Sequence, residues 1–132
     1  MLALKLNDKI ALISGSTAGI GDAIAAALAR EGVTVIVNGR LQGAVDAAVA
    51  KLKPAVSAAV FGIAANLSTA VAANLVARQF PDVETVINNL GIFEPKPFEE
   101  IPDADWMRLF EVNVLSAVRL ARLCVPGMKR HN

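Results

Sequence analysis

At 132 residues with 55% apolar side chains, the sequence has the length of one domain, residues 1–132, and enough hydrophobic material for a real core. Thirteen basic and twelve acidic side chains are interspersed along it for a formal net charge of +1, which gives no electrostatic case for nucleic acid or an anionic membrane. The single cysteine, Cys124, excludes an internal disulfide framework, no apolar run has the roughly 18 residues of a membrane span, and no leader-like pattern opens the chain, so a reducing, cytoplasmic setting is expected.

In chain order, Ile10-Ala11-Leu12-Ile13 predicts a first strand. A glycine-rich turn follows, and Ile20, Ile24, Ala27 and Leu28 then recur at helical spacing until Gly32. The β-branched run Val33–Val37 predicts a second strand, buried on both faces, that ends at Asn38-Gly39. Leu41, Val45, Val49 and Leu52 mark a second helix stopped by Pro54. A third strand is expected near Ser57–Phe61, a helix between Leu67 and Phe80, and a fourth strand over Val83–Ile87, broken by Asn88-Asn89-Leu90-Gly91. From about Asp103 to Lys129 one long helix, or two nearly continuous ones, is expected to end near Pro126-Gly127. The alternation βαβαβαβα, without repeats or low-complexity linkers, predicts an α/β fold: a doubly wound parallel sheet in three α/β/α layers. The turns at 15–21, 38–40 and 88–91 then share the rim beyond the strands' carboxyl ends, where such sheets bind ligands.

The first of these turns, Ser14-Gly15-Ser16-Thr17-Ala18-Gly19-Ile20-Gly21, joins a strand to the start of a helix. Backbone N–H groups and the positive end of the helix dipole converge there and make an anion seat. Its Gly-x3-Gly-x-Gly spacing differs from the commoner Gly-x-Gly-x2-Gly fingerprint, and the absence of a Lys-Ser/Thr pair argues against a nucleotide-triphosphate loop. An ordinary tight βα connection is the alternative. At the second turn, an acidic residue about twenty positions beyond the glycines would favour a free ribose 2′-hydroxyl. Asn38-Gly39-Arg40 stands there instead, and an arginine forks onto a 2′-phosphate, so NADP is favoured while NAD stays open. A solvated arginine that merely opens the next helix is the competing explanation.

With these motifs the chain resembles the short-chain dehydrogenase/reductase family over nearly its whole length. The turn at 14–21 is similar to the family's Thr-Gly-x3-Gly-x-Gly motif, with Ser14 for threonine. Asn88-Asn89-Leu90-Gly91 is similar to its Asn-Asn-Ala-Gly motif, with Leu90 for alanine, and Val112-Asn113-Val114 to its long-helix motif. The resemblance implies a Rossmann-like fold and a nicotinamide site built from Gly15, Ser16, Thr17, Ala18, Gly19, Ile20 and Gly21. Asn38, Gly39 and Arg40 join them at the second turn, Asn89, Leu90 and Gly91 at the fourth strand. Asn66 and Leu67 fall on the adenine side, with Asn66 where the family often has aspartate. Of the family's catalytic tetrad only the asparagine, Asn113, is present, and the composition contains no tyrosine.

A phenol of near-neutral pKa serves such enzymes as acid and base when hydride moves between nicotinamide and a carbonyl or alcohol carbon. The sequence is therefore expected to be the cofactor-binding half of an NADP-preferring dehydrogenase, cut before the family's Tyr-x3-Lys segment and inactive alone. A non-catalytic dinucleotide-binding or interaction module is the alternative. The expected partners are a small carbonyl or alcohol substrate and further copies of the chain, as a homodimer or homotetramer through helix 103–129. That helix is apolar on two sides, with Val114, Val118 and Ala121 on one stripe and Leu109, Val112, Leu120 and Leu123 on the other, which calls for two packing partners.

The remaining residues have plainer explanations. Cys124 has no second ligand at metal-site spacing, so no metal is expected, and His131 reads as a solvated terminus. Trp106 and Phe110, at i and i+4, suit core or interface. The loop Ile92–Pro97 suits either a substrate entrance or a stiff connection.

Overall fold

The computed structural model describes residues 4–131. Four strands, β1 (Ile10–Ile13), β2 (Thr34–Gly39), β3 (Val60–Ala64) and β4 (Thr85–Ile87), form one parallel sheet in the order β3-β2-β1-β4. Five helices accompany them: α1 (Gly19–Arg30), α2 (Gln42–Leu52), α3 (Ala70–Gln79), α4 (Asp103–Phe110) and α5 (Ser116–Arg130). Among these residues no helix is long and apolar enough to cross a membrane.

Strand side chains alternate between faces, so each central strand feeds two cores. Ala11, Ile13, Val35 and Val37 meet Ala25 and Ala29 of α1 and Ala48 and Leu52 of α2. On the opposite face Leu12, Ile36 and Ile63 meet Ala73 and Val76 of α3 and Leu120 of α5. This is the expected three-layer, Rossmann-like doubly wound fold. The chain steps outward from β1 to β2 to β3 and then returns to the other side of β1 with β4, so the direction of winding reverses between β1 and β4. Ligand crevices of such sheets open at that point, beyond the carboxyl ends.

Several local expectations need correction. The third strand lies at Val60–Ala64, not at 57–61, because a short 3₁₀ turn, Lys53–Ala55, follows α2 and pairing with β2 sets the register from Val35↔Val60 to Gly39↔Ala64. The second strand runs on through Asn38 and Gly39 for the same reason. The buried stripe of α1 is Gly21, Ala25 and Ala29, while Ile20 is 73% exposed, since small side chains let the helix lie close to the sheet and its first turn overhangs the rim. Leu41 is likewise exposed, ahead of the buried Val45, Ala48 and Leu52 of α2. The helix after the third strand starts at Ala70 behind an N-cap, Thr69, whose hydroxyl accepts from the Ala72 N–H at 3.2 Å. The long helix does not stop at Pro126-Gly127. It runs from α4 through a π-helical stretch, Glu111–Leu115, into α5, which carries Pro126 inside it because Leu120, Leu123 and Met128 hold it against the sheet.

The two-sided apolar character of that helix is real. Leu120 is buried, whereas Val114, Val118 and Val125 face outward at 42%, 39% and 38% exposure. Trp106 and Phe110 are surface residues too, and Trp106 meets Phe98 edge-on with ring centroids 6.5 Å apart.

Candidate functional site

The glycine turn begins where β1 ends. Gly15 and Gly19 have φ of +61° and +60°, a region that side chains with a Cβ rarely enter, and among the described residues nothing beyond its chain neighbours and its own helix backbone comes within 4 Å of a Cβ built on Gly19. Gly21 has the opposite role: a Cβ there would lie 2.5 Å from the Gly15 carbonyl oxygen and 2.6 Å from Asn89 Nδ2. One glycine keeps space open above the turn and the other lets α1 close onto it.

Side chains of the motif residues stitch this turn to its neighbours. Ser14 Oγ donates to the Ile87 carbonyl at 3.3 Å and accepts the N–H groups of Asn89 and Leu90 at 3.0 and 3.1 Å. Asn89 Nδ2 donates to the Gly15 carbonyl at 3.0 Å. Ser16, fully buried, donates to the Ile13 carbonyl at 2.7 Å and accepts the Asn38 N–H at 2.9 Å. Asn38 is also buried; its Oδ1 accepts the Gly15 N–H at 3.1 Å, and its Nδ2 donates to the Ile63 and Ala65 carbonyls at 3.2 and 3.1 Å. Asn38 therefore joins the ends of β1, β2 and β3, with its amide fully used by backbone. Ser16, Asn38 and the Asn89 amide build the rim.

Asn38 also lines the crevice, beside groups that make no such bonds. Ala18 is the N-cap of α1 and supplies no side-chain cap, so the first N–H groups of the helix are left to a ligand or to water. A hollow of about 170 Å³ lies there, lined by Gly15, Thr17, Ala18, Asn38, Gly39, Arg40, Ala65, Leu67 and Leu90. A second, of about 240 Å³, continues from it past Arg40 and Leu90 to Asn66, Ser68, Gly91 and Val112. Arg40 is exposed between the two and, among the described residues, forms no ion pair. Two hollows in series, with a helix N-terminus at one and a free guanidinium at their junction, fit an elongated ligand that carries phosphates.

Asn113 sits in the π-helical stretch and faces the turn after β4. Its Oδ1 accepts the Ile92 N–H at 2.7 Å and its Nδ2 donates to the Ile92 carbonyl at 3.0 Å. A Cβ on Gly91 would lie 2.9 Å from that Oδ1, so glycine is what lets the turn meet the helix. Beyond it, Glu94 accepts from Arg108, and Lys96 pairs with Asp105, whose carboxylate raises the lysine's pKa. The loop 92–97 is thus tied down on α4. Cys124 is buried, which pushes its thiol pKa up and suits a packing role.

The crevice brings the three predicted turns together with Asn66. Arg108, Ser68 and Arg119 escape sequence reasoning, since nothing in the local pattern distinguishes them from solvated polar residues. A model of the short chain dehydrogenases matches residues 9–132. The chain belongs to the short-chain dehydrogenase family. Among its relatives, the uncharacterized oxidoreductase YvaG of Bacillus subtilis is 47% identical over 128 residues, which are 96% of this chain and 48% of that protein. The crystal structure of L-sorbose reductase from Gluconobacter frateurii, complexed with NADPH and L-sorbose, superimposes with a TM-score of 0.90 at 32% identity, covering 96% of this chain and 49% of that one. A 7α-hydroxysteroid dehydrogenase complexed with NADH and 7-oxo glycochenodeoxycholic acid matches with a TM-score of 0.85 at 30% identity, over 96% and 50% of the two chains. This short-chain dehydrogenase chain spans about half the length of the curated relatives it matches.

Proposed function

We propose that this chain is the cofactor-binding half of an NADP-preferring oxidoreductase that interconverts a carbonyl and an alcohol on a small molecule. The observation that carries the reading is the crevice itself: open space over Gly19, the uncapped start of α1, and Arg40 free at the junction of the two hollows. A nicotinamide dinucleotide supplies a hydride acceptor or donor when bound. The chain's own residues bind and orient it. The N–H groups at the start of α1 hold the diphosphate, Arg40 forks onto the 2′-phosphate, and Asn66 and Leu67 receive the adenine. Ser14, Ser16, Asn38 and Asn89 fix the rim at which these groups converge.

Asn113 enters this reading as a positioning residue, since its amide holds the backbone of Ile92 beside the nicotinamide end. The acid that protonates the alkoxide is assigned to a segment outside this sequence, because the chain contains no tyrosine. The complete enzyme is proposed to act in the cytoplasm and to pair through residues 103–129.

Fluorescence titration of NADPH and NADH tests the assignment. The parent protein is expected to bind NADPH more tightly, and Arg40→Ala to weaken NADPH by roughly 10- to 100-fold while moving NADH less than about threefold. Equal affinities that respond equally to Arg40→Ala would remove the NADP preference. No binding of either nucleotide would instead favour an interaction module with an empty turn.

A further inference from the structure

Besides Arg40, the turn at 90–92 and Arg108, two distant parts of the chain wall the 240 Å³ hollow: the loop 65–69 between β3 and α3, and the helical stretch that carries Val112. Arg119 of α5 reaches both. Its Nη1 donates to the Ser68 carbonyl at 2.8 Å and its Nη2 to Glu111 Oε1 at 3.2 Å, with the side chain only 19% exposed. Among the described residues this is the one side-chain hydrogen bond that ties the loop to the long helix.

Ser68 passes that anchor on. Its N–H and its hydroxyl both donate to Asn66 Oδ1, at 3.2 and 2.6 Å. A backbone N–H can only donate, so the orientation of the Asn66 amide is determined: the oxygen is held by Ser68, and the Nδ2 hydrogens are left to the hollow that Asn66 lines. We infer that Arg119 is a positioning residue of the crevice, which through Ser68 aims the Asn66 amide at a nucleobase as a hydrogen-bond donor. The inference rests on the dinucleotide reading above and adds to it the polarity of the base contact: Asn66 offers a donor to an acceptor nitrogen of the ring. Arg119 itself touches no ligand.

A double-mutant cycle on the full-length protein tests it, with NADPH as the probe. Arg119→Ala alone and Asn66→Ala alone are each expected to weaken NADPH about tenfold. In the Asn66→Ala background, Arg119→Ala should then cost less than about twofold, because the group it positions is gone. Arg119→Lys, which keeps one donor for the Ser68 carbonyl, should stay within about threefold of the parent. A general structural role would give multiplying losses in the double variant and overturns the inference, as does an unchanged affinity for Arg119→Ala. If Arg119→Ala does not fold, Arg119→Met, which keeps the apolar stem and removes both donors, goes through the same cycle, and multiplying losses there overturn it equally. A parent protein that binds no nicotinamide dinucleotide takes down the functional reading and this inference together. A parent that binds NADPH with an additive cycle takes down this inference alone.

Discussion

Asn38 is the residue on which the rim turns. One side-chain amide serves Gly15, Ile63 and Ala65, and the same residue's backbone meets Ser16 in both directions. An acceptor and a two-hydrogen donor are both needed, which no isostere but an amide provides. Asn38→Asp would turn a carboxylate toward the Ile63 and Ala65 carbonyls, lose both donated bonds, and is expected to destabilise the protein by on the order of 3 kcal/mol at neutral pH. Burial beside carbonyl oxygens raises the folded-state pKa of such an aspartate above its unfolded value. The variant's deficit is therefore smallest below the unfolded value of about 4 and grows to its full size as pH rises through the raised folded pKa. Chemical denaturation of parent and variant at several pH values checks this; a deficit independent of pH would refute the carbonyl contacts. The role of Asn38 was not legible locally, because an Asn-Gly pair after a β-branched run reads as a turn. Its side-chain partners lie 23 to 27 positions away and become neighbours only when β2 pairs with β1 and β3. The glycines were legible because their spacing is itself the constraint.

At the scale of elements, the sequence pattern announced the order of the four strands and the α-helices of the described residues, and erred in bounds where pairing overrides local preference. Gly62 weakens β3 by its propensity, yet a Cβ there would come within 2.5 Å of Val45 Cγ1 and 2.9 Å of Val49 Cγ2. The glycine lets α2 lie on the strand, a reason that no window of local sequence contains. The π-helical stretch is similar: its composition, Glu-Val-Asn-Val-Leu, continues the α-helical stripe, and the widened turn coincides with the contact that Asn113 makes with Ile92. Asn113→Ala is expected to release the turn after β4 while the sheet stays intact. Hydrogen exchange would read this directly: the Ile92 amide should exchange on the order of tenfold faster, with Leu12 and Ile36 unchanged. Equal acceleration throughout would mean general destabilisation and no local anchoring by Asn113.

At the scale of the whole molecule, the sheet is unequally closed along its width. The central strands β1 and β2 are covered on both faces, whereas β4 pairs with β1 alone and all three of its residues remain half-buried. On the same side of the sequence the long helix turns Trp106, Phe110, Val114 and Val118 outward. An open parallel edge and a contiguous apolar helix face each favour association. Prepared by itself, the 132-residue chain is expected to sediment above its 13.8 kDa, with a mass that rises with concentration. The long helix rather than the strand edge is held responsible, since Val114 and Val118 lie one helical turn apart and present side chains that backbone pairing does not use. Glutamates at both positions should therefore restore a mass near 13.8 kDa without lowering the unfolding temperature by more than a few degrees, because these valines contribute little to the core. Association that persists in the double variant would move the responsibility to β4. A parent chain monomeric at high micromolar concentration would show that neither surface is sticky enough to pair, and the proposed assembly through residues 103–129 would lose its physical basis.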